Sequence, residues 1–303
     1  MMANNMSRSA GLGALLSAMV AAVQWRLLLL WMLIMLIPAT VVALPLWKML
    51  GGMMDTSVHS AEWAQHFNDL MFSDVIMSLS EHPQWLTAAT LLGLLFTLLL
   101  SPFLDGMIVG SGRAGRRLSF GALLQNGLIE YGRMFRVMLW SVLLYGIVAA
   151  VFGAASHMTE KHAETAVLES QVDAYHSIVH WVLLIVFVLV QSIVESTRSA
   201  FIADTSLRSA TRALGRGFRQ LFKRPLRTLL FYIVVTLVGL LMASVFAVAR
   251  IHVTAFGMGF LIALVLSQLI VVAIGWMRTA RLFALAGVAR SIVPGSRPQA
   301  EYR

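Results

Sequence analysis

Along most of this chain, polar residues are confined to short intervals between long apolar runs. The runs extend from about Leu27 to Trp47, Trp85 to Leu104, Val137 to Ala155, Ser177 to Val194, Thr228 to Val248 and Val253 to Met277. A helix of about 20 apolar residues crosses roughly 30 Å of hydrocarbon, so each run is a candidate span. Lipid offers the backbone no hydrogen-bond partner, and runs of this length satisfy it internally as helices. The expected fold is therefore all-α and polytopic, with six transmembrane helices. Pro38 and Pro45 fall inside the first run and predict a bend there. Before it, Leu12, Leu15, Leu16, Met19, Val20 and Val23 recur at helical spacing, as in a helix lying in a membrane interface. The expected organisation is an N-terminal segment 1–26 with this helix, a membrane domain 27–277 and a basic tail 278–303. The first run is long enough to span and reads as retained, not as a cleaved signal.

Composition agrees. Of 303 residues, 59% are hydrophobic and 12% charged, against roughly 25% charged in soluble domains. Cysteine is absent, which excludes disulfides and thiolate metal sites. The formal charge of +9 would suggest nucleic acid in a soluble protein. Mapped onto the spans, it separates. Of the 23 Lys and Arg residues, all but Lys48, Lys161 and Arg250 fall on the side that holds both termini. By the positive-inside rule that side is cytoplasmic. Acidic residues concentrate in the opposite loops, with Asp55, Glu62, Asp69, Asp74 and Glu81 in one and Glu160, Glu164, Glu169 and Asp173 in another. The bias of the basic residues toward arginine points to a bacterial source. The expected location is a bacterial inner membrane, multi-pass, with no nucleic-acid partner.

An offset of 91 residues superposes Arg117, Ala122, Leu123, Arg133, Arg136 and Leu139 on Arg208, Ala213, Leu214, Arg224, Arg227 and Leu230. Each copy reads span, cytoplasmic amphipathic helix, basic cluster, span, which is a parallel internal repeat. Phe120, Leu124, Leu128, Tyr131 and Phe135 share one helical face in the first copy. In the second, Leu207, Leu214, Phe218 and Leu221 form an apolar stripe opposite Arg208, Arg212, Arg216, Arg219 and Lys223. Such helices suit the inner leaflet, where arginine meets anionic phospholipid. They also suit a docking surface for a cytoplasmic or membrane protein partner or an anionic substrate. Arg117, Arg133 and Arg136 join the stripe as candidate lipid- or partner-binding residues.

The segments Leu118–Arg136 and Arg208–Arg227 resemble those of bacterial six-span proteins of the type of the membrane domain attached to some glycerophosphodiester phosphodiesterases. The resemblance covers about a third of the chain and implies a six-span fold. It supplies no catalytic residues, and no extra-membrane segment here is long enough for the phosphodiesterase domain.

Candidate chemistry is sparse. Gly110-Ser-Gly112-Arg-Ala-Gly115 is a literal G-x-G-x-x-G, but a span precedes it where a dinucleotide site needs a strand and a βαβ unit. Gly106 and Gly110 instead suit close helix packing. All eight histidines lie in the loops opposite the termini or at the span ends beside those loops. His59, Glu62, His66 and Asp69 step at helical spacing, as do Glu169, Asp173, His176 and His180. Each set could hold a divalent ion or respond to pH, although a solvated acidic loop has the same composition. No cofactor is expected otherwise, and the methionines suit bilayer packing. Asp105, Glu195 and Arg250 are placed at span ends, where they would snorkel. Thr40, Thr90, Thr97, Ser141, Tyr145, Gln191, Ser192, Thr236, Ser244, Ser267 and Gln268 are expected to bond back to their own helix or link neighbours.

These features favour a non-enzymatic, lipid- or envelope-associated scaffold or auxiliary subunit. A permease subunit of an ATP-driven exporter and an outer-face metal-handling or pH-sensing protein are the alternatives.

Overall fold

The computed structural model describes residues 2–54, 73, 76–77, 83–165, 169–253 and 257–292. Eight helices account for nearly all of them: α1 (Met2–Ala21), α2 (Trp25–Met54), α3 (Pro83–Ala114), α4 (Phe120–Thr165), α5 (Glu169–Ala203), α6 (Ala210–Lys223), α7 (Pro225–Ile251) and α8 (Met258–Arg290). Six of them, α2 to α5, α7 and α8, contain segments long and apolar enough to cross a membrane. Large apolar side chains stand exposed along all six, among them Leu33, Leu95, Ile147, Ile185, Leu241 and Val265. An apolar exterior of this extent has bilayer as its solvent. The chain is a multi-pass membrane protein.

The helices outrun the apolar segments that announce them. Hydropathy ends the second, fourth and sixth spans at Leu104, Val194 and Met277, yet α3 continues to Ala114, α5 to Ala203 and α8 to Arg290. Residues 104–111 and 192–202 are buried without interruption. The ends of α3, α5 and α8 therefore form the centre of the bundle at its arginine-rich end, and α5 packs against both others there. Helix α2 runs through Pro38 and Pro45 without interruption.

The chain order reads three times as a short or fused amphipathic segment followed by two long helices. Each central helix packs on the amphipathic segment that follows it: α3 on α4 and α5 on α6. Helix α8 packs on α1, which closes the ring. In the first contact, a Cβ on Gly106 would lie 3.0 Å from the Gly127 carbonyl oxygen. In the second, a Cβ on Gly217 would lie 2.8 Å from the Ile193 carbonyl oxygen. Thr197, which stands 91 residues after Gly106, also touches Gly217, and Gly217 stands 90 residues after Gly127, one residue off the repeat offset. In the third, the Trp276 indole donates to the Met19 carbonyl (3.2 Å), with Leu15 and Ala22 buried alongside.

The two repeat copies differ at one point. In the second, Arg224 leaves helical geometry (φ −139°, ψ 61°) and Pro225 begins α7, because proline bars its predecessor from the helical region. The equivalent of Pro225 in the first copy is Met134, and α4 runs straight through the basic cluster there.

Candidate functional site

The central helix ends carry charge, and the charge is buried. Asp105 is 2% exposed, Glu195 1% and Arg198 6%. The snorkelling expected of Asp105 and Glu195 is thereby corrected: they point into the bundle, because guanidinium groups on neighbouring helices wait there. Arg198 Nε lies 3.1 Å from Asp105 Oδ2, and its Nη1 donates to Glu195 Oε1 at 3.2 Å. Arg278 of α8 reaches the same aspartate at 2.9 Å and the Ser101 hydroxyl at 3.2 Å. Arg281 approaches Glu195 at 3.6 Å and donates to Thr236 of α7 at 3.4 Å. The layer widens through ring contacts, with Arg278 over Trp31 of α2 (5.6 Å) and Arg281 over Tyr232 of α7 (5.3 Å). Next to it, the Tyr145 hydroxyl of α4 donates to Gln191 of α5. All six long helices thus contribute to one polar level. Arg250, by contrast, does sit at a helix end, where it donates to the Val253 carbonyl (3.5 Å).

A second cluster lies between α3 and α4. Buried Glu130 accepts from Arg113 (2.5 Å) and Arg133 (2.8 Å), while Arg113 Nε also donates to the Phe201 carbonyl at 2.7 Å. Arg113 therefore satisfies a carbonyl left open at the end of α5. Arg133, a candidate surface residue from sequence, is turned to Glu130 instead.

Helix α6 is held by its buried face, made of Ala210, Ala213, Gly217, Gln220 and Leu221. Gln220 donates to the Leu285 carbonyl of α8 at 3.3 Å. The apolar stripe expected to rest on lipid is thus partly spent on the protein: Leu207 and Leu221 are buried. Ser209 caps the helix by accepting from the Arg212 amide. In the turn before it, Asp204 accepts from the Ser206 hydroxyl (2.6 Å) and from Arg216 (2.6 Å). First the Ser206 hydrogen bond and then Arg216 hold the Asp204 carboxyl down at about 2. Arg216 is thereby drawn out of the basic stripe. Arg208, Arg212, Arg219 and Lys223 remain exposed, as do Arg117 and Arg136.

Several polar residues of the spans do bond back as expected: Thr40 to Leu36, Thr97 to Gly93, Ser141 to Val137 and Ser267 to Ala263. The glycine motif ends α3, and Gly115 turns the chain at φ +62°. A side chain at Gly110 would collide with Asn126, which is the packing role. His59, Glu62, His66 and Asp69 lie outside the described residues, as do the side chains of Glu169, Asp173 and His176. His180 is exposed on α5. Among the described residues, no group of three or more histidines and carboxylates is placed to hold a metal ion.

Sequence reasoning missed the ionic layer. Its signal was present as opposite charges one helical turn apart, Glu195 with Arg198 just past the apolar limit of α5, and the second cluster had the same signal in Glu130 with Arg133 ahead of the apolar run of α4. No family model, no curated protein and no solved structure matches the chain.

Proposed function

We propose that this chain is a non-enzymatic scaffold or auxiliary subunit of a bacterial inner membrane, with both termini and the arginine-rich end in the cytoplasm. The observation that carries the reading is the ionic layer. Its carboxylates and guanidinium groups pair with one another across three helices, α3, α5 and α8, which favours a fixed platform. On that platform Arg208, Arg212, Arg219 and Lys223 face outward, each worth about 1 kcal/mol near an anionic leaflet. The platform would hold anionic phospholipid and a membrane or cytoplasmic protein partner, consistent with the resemblance to the six-span membrane domain of the phosphodiesterases. Extraction of the whole chain with its surrounding lipid into polymer-bounded discs tests this. The expected result is enrichment of anionic lipid over the bulk membrane, lost when the four residues become glutamine. Equal lipid composition in disc and bulk membrane, with no co-extracted protein, would remove the proposal.

One observation favours a second reading. At the α6–α7 corner, Phe222 and Leu226 are exposed beside Lys223, a surface on which the ATPase of an exporter could seat. Co-purification of an ATPase, abolished by F222S/L226S, would favour the permease-subunit alternative.

A further inference from the structure

Between the lipid-facing side of α4 and the first turn of α6 lies an open groove of about 680 Å³, within the roughly 300–1,000 Å³ of ligand sites. Arg136 stands on one wall and Arg208 on the other. Both are exposed, and neither has an ion pair or side-chain hydrogen bond among the described residues. They come from successive copies of the repeat, so the groove exists only because the two copies meet. No acidic residue is among those lining it. The contrast with Arg133 and Arg216 is direct, since each of those neighbours has a carboxylate within 2.8 Å. Two uncompensated guanidinium groups across one groove repel each other and call for an anion, and guanidinium suits phosphate through paired N–H donors.

The floor sets what kind of anion. Leu139 and Leu143 are more than half exposed, and Trp140 packs inward against the core. These residues are one to two turns along α4 from Arg136, toward the membrane-spanning part of the helix. A free anion would gain nothing from this wall, whereas an acyl chain would continue along it into the bilayer. Thr211 adds a hydroxyl at the rim.

We infer that this groove binds one anionic phospholipid, its phosphate between Arg136 and Arg208 and an acyl chain along Leu139 and Leu143. The inference rests on the arginine-rich end facing an anionic leaflet, and it goes further by assigning one stoichiometric site.

Native mass spectrometry of the full chain in detergent, titrated with phosphatidylglycerol or phosphatidylcholine, reads the site. The expected result is a first phosphatidylglycerol bound in preference to phosphatidylcholine, weakened about tenfold in R136Q/R208Q, a change of about 1.4 kcal/mol. R116Q/R227Q removes the same charge at exposed positions outside the groove and is expected to stay within about twofold, under a third of that energy. All four positions are exposed, so both variants fold. Equal weakening in the two variants would overturn the site while leaving the diffuse lipid surface intact. No headgroup preference in the unsubstituted chain would overturn both. Displacement by glycerol phosphate at concentrations matching the lipid would show a free-anion site and overturn the lipid assignment.

Discussion

Asp105 of α3 and Arg198 of α5 form an ion pair at 3.1 Å with side chains only 2% and 8% exposed. Arg278 of α8 shares the aspartate, so one carboxylate joins three helices at the centre of the bundle. Removing one member of a buried pair leaves the other as an uncompensated charge, at a cost of about 3–5 kcal/mol. D105N is therefore expected to lower the thermal unfolding temperature of the purified protein in detergent. D105N/R198Q is expected to recover part of the loss. A D105N protein as stable as the parent would show that the pair does not hold the helices.

Packing around Gly217 makes an independent prediction. A side chain there meets the Ile193 carbonyl and Thr197, while one at Gly215 on the same helix meets nothing within 4 Å. G217L is expected to destabilise by about 1–3 kcal/mol through overpacking, and G215L, at an open helix position, to be neutral or stabilising by up to about 1 kcal/mol. Thermal unfolding of the two variants, matched in helix propensity and side-chain volume, checks this. Equal changes in the two variants would mean that the α5–α6 contact does not govern the effect.

These two sites show what could be read in advance. The six spans were legible because the bilayer demands long apolar runs, and the repeat because Arg117 and Arg136 have counterparts in Arg208 and Arg227. The ionic layer was not, because hydropathy scores Asp105, Glu195 and Arg278 one at a time, as residues that end a span. Whether such a residue leaves the membrane or turns inward depends on a partner from another helix, and that partner is set by tertiary packing. The same limit hid the fate of the basic stripe. Spacing placed Arg216 with Arg212 and Arg219, but the turn at Asp204 recruits it. The continuity of α4 was missed for a simpler reason. Both copies carry a basic cluster, Arg133 and Arg136 in the first and Arg224 and Arg227 in the second, but only the second holds a proline, Pro225, and α4 has none there.

Asp204 provides a pH-dependent prediction. Its carboxyl titrates at about 2 in the folded protein, below the roughly 3.9 of an unfolded chain. Charged Asp204 therefore favours the folded turn above about pH 3.9, and this contribution disappears as pH falls through about 2. Carbon-13 NMR of the Asp204 carboxyl is expected to give a midpoint near 2. S206A is expected to raise it most, and R216Q to raise it less. A parent midpoint near the unfolded value would show that the turn is not closed by these bonds.

A lipid- and partner-binding platform requires the arginine-rich end to face the cytoplasm, and the absence of cysteine makes that directly measurable. A cysteine at Ser57, in the first acidic loop, and one at Gly215, on the exposed side of α6, would each be the only thiol in the chain. With a membrane-impermeant maleimide applied to cells whose outer membrane is opened, the account predicts labelling of S57C and protection of G215C. In inverted inner-membrane vesicles it predicts the reverse. Labelling of G215C from outside the intact inner membrane would contradict it.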